Sequence, residues 1–169
     1  MADIFGINLS EVLYGTSYDD SIYAEGGDDS VYALAGDDYV EAGTGDDYVD
    51  AGEGNDVVYG EAGADYIDGW TGDDDVYGGF GDDTLLGYDG EDYIFGGAGD
   101  DTIYGEADDD FIDGWTGNDD LYGGSGDDTI LGYDGTDYIS GGSGADYLVG
   151  ENGTDEIEGG WGDDTLIGG

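Results

Sequence analysis

Residues 77–85 read Tyr77-Gly78-Gly79-Phe80-Gly81-Asp82-Asp83-Thr84-Leu85, and residues 122–130 read Tyr122-Gly123-Gly124-Ser125-Gly126-Asp127-Asp128-Thr129-Ile130. The two stretches align without a gap. Outward from them, a nine-residue period runs without insertion from Tyr14 to Leu166, through 17 consecutive units. With columns counted from Tyr77, the seventh is Asp in every unit and the ninth is always Ile, Val or Leu. The fifth column is Gly in 15 units, the exceptions being Tyr18 and Asp108; the second is Gly or, four times, Ala. Phe5–Leu13 is a degenerate unit that keeps Gly6 and Leu13 but has Glu11 in the Asp column, and residues 167–169 start one more. Residues 1–169 therefore read as a single repeat domain.

Each half of the unit has a physical reading. The Gly-rich half has to turn sharply, because Gly takes positive φ without a Cβ clash and lets carbonyls approach a ligand closely. Asp108 is tolerable in the Gly column, since Asp visits the left-handed region, whereas Tyr18 fits poorly there. The other half is a three-residue strand such as Thr84-Leu85-Leu86, its middle residue inward and its neighbours outward. One aliphatic per unit makes a thin core. Such a core is slight for the chain length, so the fold needs a further source of free energy.

Composition sharpens that need. The 169 residues hold 46 Asp and Glu, no Lys, Arg or His, and a formal charge of −46. Leu, Ile, Val and Phe number 32 of 169, and with that charge the chain sits in the range of disordered proteins. Without basic side chains it has no phosphate-binding surface, so nucleic acid is not a partner. Docking on anionic membranes is disfavoured on the same ground. No apolar run reaches the ~18 residues of a membrane span, and no membrane insertion is expected. The first residues lack the basic and apolar regions of a secretory signal. No Cys or His is available for a thiolate zinc site, a Cys nucleophile or His-based catalysis. No enzymatic activity is expected. Paired carboxylates such as Asp127 and Asp128 recur in many units without a cleft, which argues turn or calcium chemistry rather than glycoside hydrolysis.

The repeat resembles the haemolysin-type, or RTX, calcium-binding nonapeptide. The resemblance implies an all-β fold: a right-handed parallel β-roll with two nonapeptides per turn, here about nine turns. It also implies calcium in the loops between strands, shared by adjacent loops on the same side. Calcium is a hard cation that takes 6–8 oxygens at ~2.3–2.6 Å. The carboxylate role falls on the seventh column: Asp20, Asp29, Asp38, Asp47, Asp56, Asp65, Asp74, Asp83, Asp92, Asp101, Asp110, Asp119, Asp128, Asp137, Asp146, Asp155 and Asp164. Loop carbonyls, for instance from Gly78 to Gly81, complete the shell. Seventeen loops divided between two sides give 15 stacked pairs, and 15 calcium ions would take the charge from −46 to −16. The sixth column is looser, with Asp19 and Asp82 but also Ala64, Thr136 and Ala145, and is expected to be solvated.

Thirteen of the 16 Tyr lie in columns one and eight, flanking the inward aliphatic. They should form outward aromatic ladders. Two readings stay open: simple β-propensity with cross-strand packing, or a lateral contact surface. Column four shows no regular Thr or Asn array of the kind ice binding requires. Residues 68–94 match residues 113–139 at 22 of 27 positions, a five-unit shift read as duplication. Ile4 sits in the aliphatic column and Ile167-Gly168-Gly169 start a unit, so two copies joined end to end would make a composite repeat. The first expectation is thus a calcium-folded extracellular structural protein that assembles head to tail into a filament or surface layer. The alternative is an RTX module of a larger secreted adhesin, toxin or exoenzyme. The resemblance implies a secreted product of a Gram-negative bacterium, exported by a type I system.

Overall fold

The computed structural model describes Met1–Gly169 throughout and contains nineteen strands and no helix. Successive strands alternate between two parallel sheets. One has ten strands, from Asp3–Phe5 to Thr165–Ile167, and the other has nine, from Val12–Tyr14 to Glu156–Trp161. Each strand pairs with the strand 18 residues away, as in Tyr59 opposite Tyr77 and Leu85 opposite Ile103. Two nonapeptides therefore make one coil, and about nine coils stack into a β-solenoid.

The ninth column fills the space between the sheets. From Ile22 to Leu148 its fifteen side chains are wholly buried. Leu13 belongs to the same cluster, and Ile4 and Ile157 pack against its ends. The second column also faces inward. Ala24, Ala33, Ala42 and Ala51 add to the core of the first coils, whereas Gly occupies that column from Gly60 onward. The core is thus wider at the start than one aliphatic per unit predicts.

The turns need positive φ at two columns. The fifth does, as expected, and Asp108 adopts φ 75° there. Tyr18 does not take that conformation. The strands of the next coil, Ser21–Tyr23 and Ser30–Tyr32, are only three residues long, while most strands from Tyr39 onward have six. The third column is left-handed as well, at nine residues that are not Gly, including Trp70 at 78° and Tyr133 at 71°. Close stacking explains the Gly of the fifth column. A Cβ on Gly81 would collide with the carbonyl oxygen of Gly63 in the coil beneath.

Candidate metal centre

The structure stacks the seventh-column Asp side chains into two ladders, one on each edge of the roll. In each ladder the backbone N–H of one Asp donates to Oδ1 of the Asp one coil later. One ladder runs from the N–H of Ala2 through Asp20, Asp38, Asp56, Asp74, Asp92, Asp110, Asp128 and Asp146 to Asp164. The other runs from the N–H of Glu11 through Asp29, Asp47, Asp65, Asp83, Asp101, Asp119 and Asp137 to Asp155. Interior bonds such as Asp74 to Asp92 are 2.8 Å long. Asp20 through Asp146 are buried, whereas Asp155 and Asp164 in the last coil are partly open.

Oδ1 is thus satisfied, but Oδ2 is not. In the fourteen residues from Asp29 to Asp146, Oδ2 is buried without any hydrogen-bond partner. A buried carboxylate oxygen without a partner is costly. Asp20 differs. Its Oδ2 accepts from the N–H and hydroxyl of Thr16, each at 2.7 Å, and the Met1 ammonium lies 3.8 Å from its Oδ1.

From Asp65 to Asp146 the orphaned oxygens face space that only Gly leaves open, whereas Ala24, Ala33, Ala42 and Ala51 stand in that column before Asp29, Asp38, Asp47 and Asp56. The point where a Cβ on Gly69 would sit is 2.6 Å from Asp74 Oδ2, 3.1 Å from the Gly87 carbonyl and 3.3 Å from the Leu86 carbonyl. At Gly60 the same point is 2.5 Å from Asp65 Oδ2 and 2.6 Å from the Gly78 carbonyl. A carboxylate oxygen and carbonyl oxygens thus converge where the side chain is missing. This is a hard-oxygen donor set suited to calcium. No group of three or more carboxylates is arranged to hold a metal ion by itself, so a cation here would need main-chain carbonyls as well.

Electrostatics point the same way. Burial, reinforced by the stacked like charges, pushes Asp74 and Asp110 up to about 8 from an ordinary 3.8. Asp56, Asp65, Asp92, Asp101 and Asp119 rise to about 7 for the same main reason. Asp38, Asp47, Asp83 and Asp128 rise to about 6. At Asp20 burial also acts upward, but the bonds from Thr16 and Ala2 outweigh it and hold that carboxyl below its usual value.

The sixth column does more than sequence reading assigns it. Its carboxylates and amides accept the backbone N–H of the sixth-column residue one coil later. Asp28 accepts from Asp46, Asn55 from Asp73 and Asp127 from Ala145. A recurrent short acceptor in that column is the only sequence signal for this role.

The RTX calcium-binding nonapeptide-repeat pattern matches residues 5–40, 32–67, 50–85, 86–121, 116–148 and 140–169. The chain belongs to the RTX calcium-binding repeat family. These matches cover all but the first four residues. RTX repeats bind Ca²⁺ as structural elements. A search of curated proteins finds no match.

Proposed function

We propose that this RTX chain is a structural, non-enzymatic β-roll whose folding is driven by extracellular calcium. One observation carries the reading: fourteen buried carboxylate oxygens lack a partner in a chain with no cationic side chain. Calcium between stacked loops supplies the missing partner. Its ligands are the seventh-column carboxylates from Asp29 to Asp146 with the neighbouring loop carbonyls. Asp20 and Asp164 end one ladder, Asp29 and Asp155 the other, and each of these four serves from one face only. The 15 stacked loop pairs set the content at about 15 ions per chain, and the bound charge removes most of the self-repulsion. Because the site exists only in the folded chain, binding free energy is folding free energy. Low cytosolic calcium keeps the chain unfolded until type I export from a Gram-negative cell. Far-UV circular dichroism in EGTA and then in millimolar CaCl₂ tests this. Disorder giving way to β-structure is expected, and a β-spectrum indifferent to calcium refutes it.

A second reading concerns assembly. Both sheets end in open parallel edges, with Leu166 and Ile167 exposed at one end and Phe5 and Val12 at the other. Such edges invite pairing, and head-to-tail contact builds a filament. In a larger secreted adhesin, toxin or exoenzyme, flanking chain covers the same edges instead. Electron microscopy with and without calcium separates the two, and monodisperse rolls at high calcium exclude the filament.

A further inference from the structure

The 45-residue duplication places one side-chain pattern on both edges of the roll. A coil is 18 residues, so a 45-residue shift is two and a half coils and moves each copy to the opposite edge. On one edge the third column reads Gly52, Trp70, Tyr88, Glu106, Gly124 along successive coils. On the other it reads Gly97, Trp115, Tyr133, Glu151, Gly169. The two rows are identical.

The aromatic residues stand in these rows against backbone preference. Trp70, Tyr88, Trp115 and Tyr133 hold φ between 71° and 78°, a region costly for bulky side chains. Gly fills the same column at Gly79, Gly124, Gly142 and other units without that cost. The rings are only partly covered. Trp70 is 49% and Trp115 55% exposed, and neither belongs to the stacked Tyr ladders.

Carboxylates frame both rows. Glu106 and Glu151 come next in the column, and Asp89 and Asp134 follow the Tyr residues in sequence. Two residues before each Trp stand Asp68 and Asp113. Their Oδ1 atoms are the only buried, unpartnered side-chain oxygens outside the seventh column. The chain has no cationic side chain to answer these groups. We infer that the Trp70–Tyr88–Glu106 and Trp115–Tyr133–Glu151 rows are two equivalent docking sites for a basic peptide segment, whose Lys or Arg side chains lie on the rings with their charge toward the carboxylates. Indole is the best ring for a cation, and Tyr follows. A second copy of this chain cannot be the partner, since it has no Lys or Arg. The sites face opposite ways about 12 Å apart along the axis, at ~4.8 Å per coil, so one roll bridges two partners.

The test uses the full, calcium-loaded chain at about 0.15 M ionic strength, titrated with N-acetyl-tetralysine amide and followed by Trp emission and by heat. Two equivalent sites are expected. The double variant Trp70→Gly with Trp115→Gly should bind about tenfold more weakly. Gly is native to this column, so the variant should fold at an unchanged calcium midpoint, checked by circular dichroism. Trp161→Gly should bind as the parent chain does. Unchanged binding by the double variant would mean diffuse attraction to a polyanion and overturns the proposal. So does a neutral oligosaccharide that perturbs Trp emission where tetralysine does not. Failure of the calcium reading shows separately, as a spectrum that ignores EGTA.

Discussion

Asp20 and Asp110 occupy the same column and the same ladder, nine residues times ten apart in a near-perfect repeat, yet they are different groups. Asp20 has Thr16 and Ala2 as donors, and its value is held below normal. Asp110 has one donor, the N–H of Asp92, and an orphaned Oδ2, and its value is about 8. The first coil is closed by the protein's own hydrogen bonds. The interior coils are closed only when something outside the chain answers Oδ2. The orphaning is therefore a property of the loop: Asp20 is stacked on both sides like the others, but the first loop turns Thr16 onto its Oδ2, and in the later loops no N–H or hydroxyl reaches that oxygen.

The strongest challenge to that contrast is removal of the metal. At pH 8, EGTA should abolish the β-spectrum of the whole roll, since fourteen interior carboxylates lose their partners together. A substantial β-signal surviving in EGTA would mean that self-made bonds like those of Asp20 suffice everywhere. Next in size is single substitution. Asp110→Ala removes a ligand from two stacked loops and leaves the N–H of Asp92 without its acceptor. It should raise the calcium midpoint several-fold and cost about 3 kcal/mol in calcium, within the range for breaking a buried polar network. Asp20→Ala should cost less than half as much. Equal losses at the two positions would erase the distinction between end and interior.

Acidity separates the regions by sign. The interior carboxyls from Asp38 to Asp128 sit at about 6 to about 8 folded against an ordinary 3.8, and Asp29, Asp137 and Asp146 are raised as well. The folded chain therefore binds more protons across that interval, and stability of the calcium-free roll falls as pH rises through it. Asp20, whose value is lowered, contributes in the opposite sense and loses its contribution only as pH falls below the usual carboxylate range. Calcium requires ionised ligands, so its affinity should rise over the interval in which the metal-free roll weakens. Circular dichroism of the EGTA-treated chain should show more β-structure at pH 5 than at pH 8. The reverse order would mean that these carboxyls are not buried as described.

Much of this is legible in the sequence, and the exceptions lie in the loops. The period and the inward aliphatic column from Ile22 to Leu148 follow from spacing, and the 18-residue register from the resemblance to RTX repeats. The seventh column declared itself by never varying. What spacing could not show depends on the conformation of each loop or on the coil above or below. Left-handed backbone at Trp70, Tyr88 or Glu151 is invisible because none of these residue types signals positive φ. Thr16 closing Asp20 reads as an ordinary loop Thr until the turn brings its hydroxyl to the carboxylate. The Gly-rich half reads as a turn that lets oxygens approach closely, and the later members of the second column do so, as Gly69 leaves room for Asp74 Oδ2, but nothing in the sequence tells which oxygens converge there.

The smallest effect tests the ladder that the sequence hid. Column six bonds backward, its N–H donating to the preceding coil, while column seven bonds forward. Ala64 breaks the backward ladder, because it offers no acceptor to the N–H of Asp82, which lies one coil later. Asn serves at the same column, with Asn118 Oδ1 accepting from Thr136 at 3.0 Å. Ala64→Asn should therefore add about 0.5 kcal/mol in calcium, and Asp127→Ala, which strips the acceptor of Ala145, should remove about as much. These bonds are exposed, so both changes belong at the low end of the hydrogen-bond range, about 0.5–1.5 kcal/mol. Neither should move the calcium midpoint beyond that stability change, because column six is outside the orphaned set. Denaturant titration in saturating calcium, paired with calcium titration, reads the two quantities separately. If Asp127→Ala instead shifts the midpoint as far as Asp110→Ala does, column six holds metal and the exposed ladder belongs with the interior one.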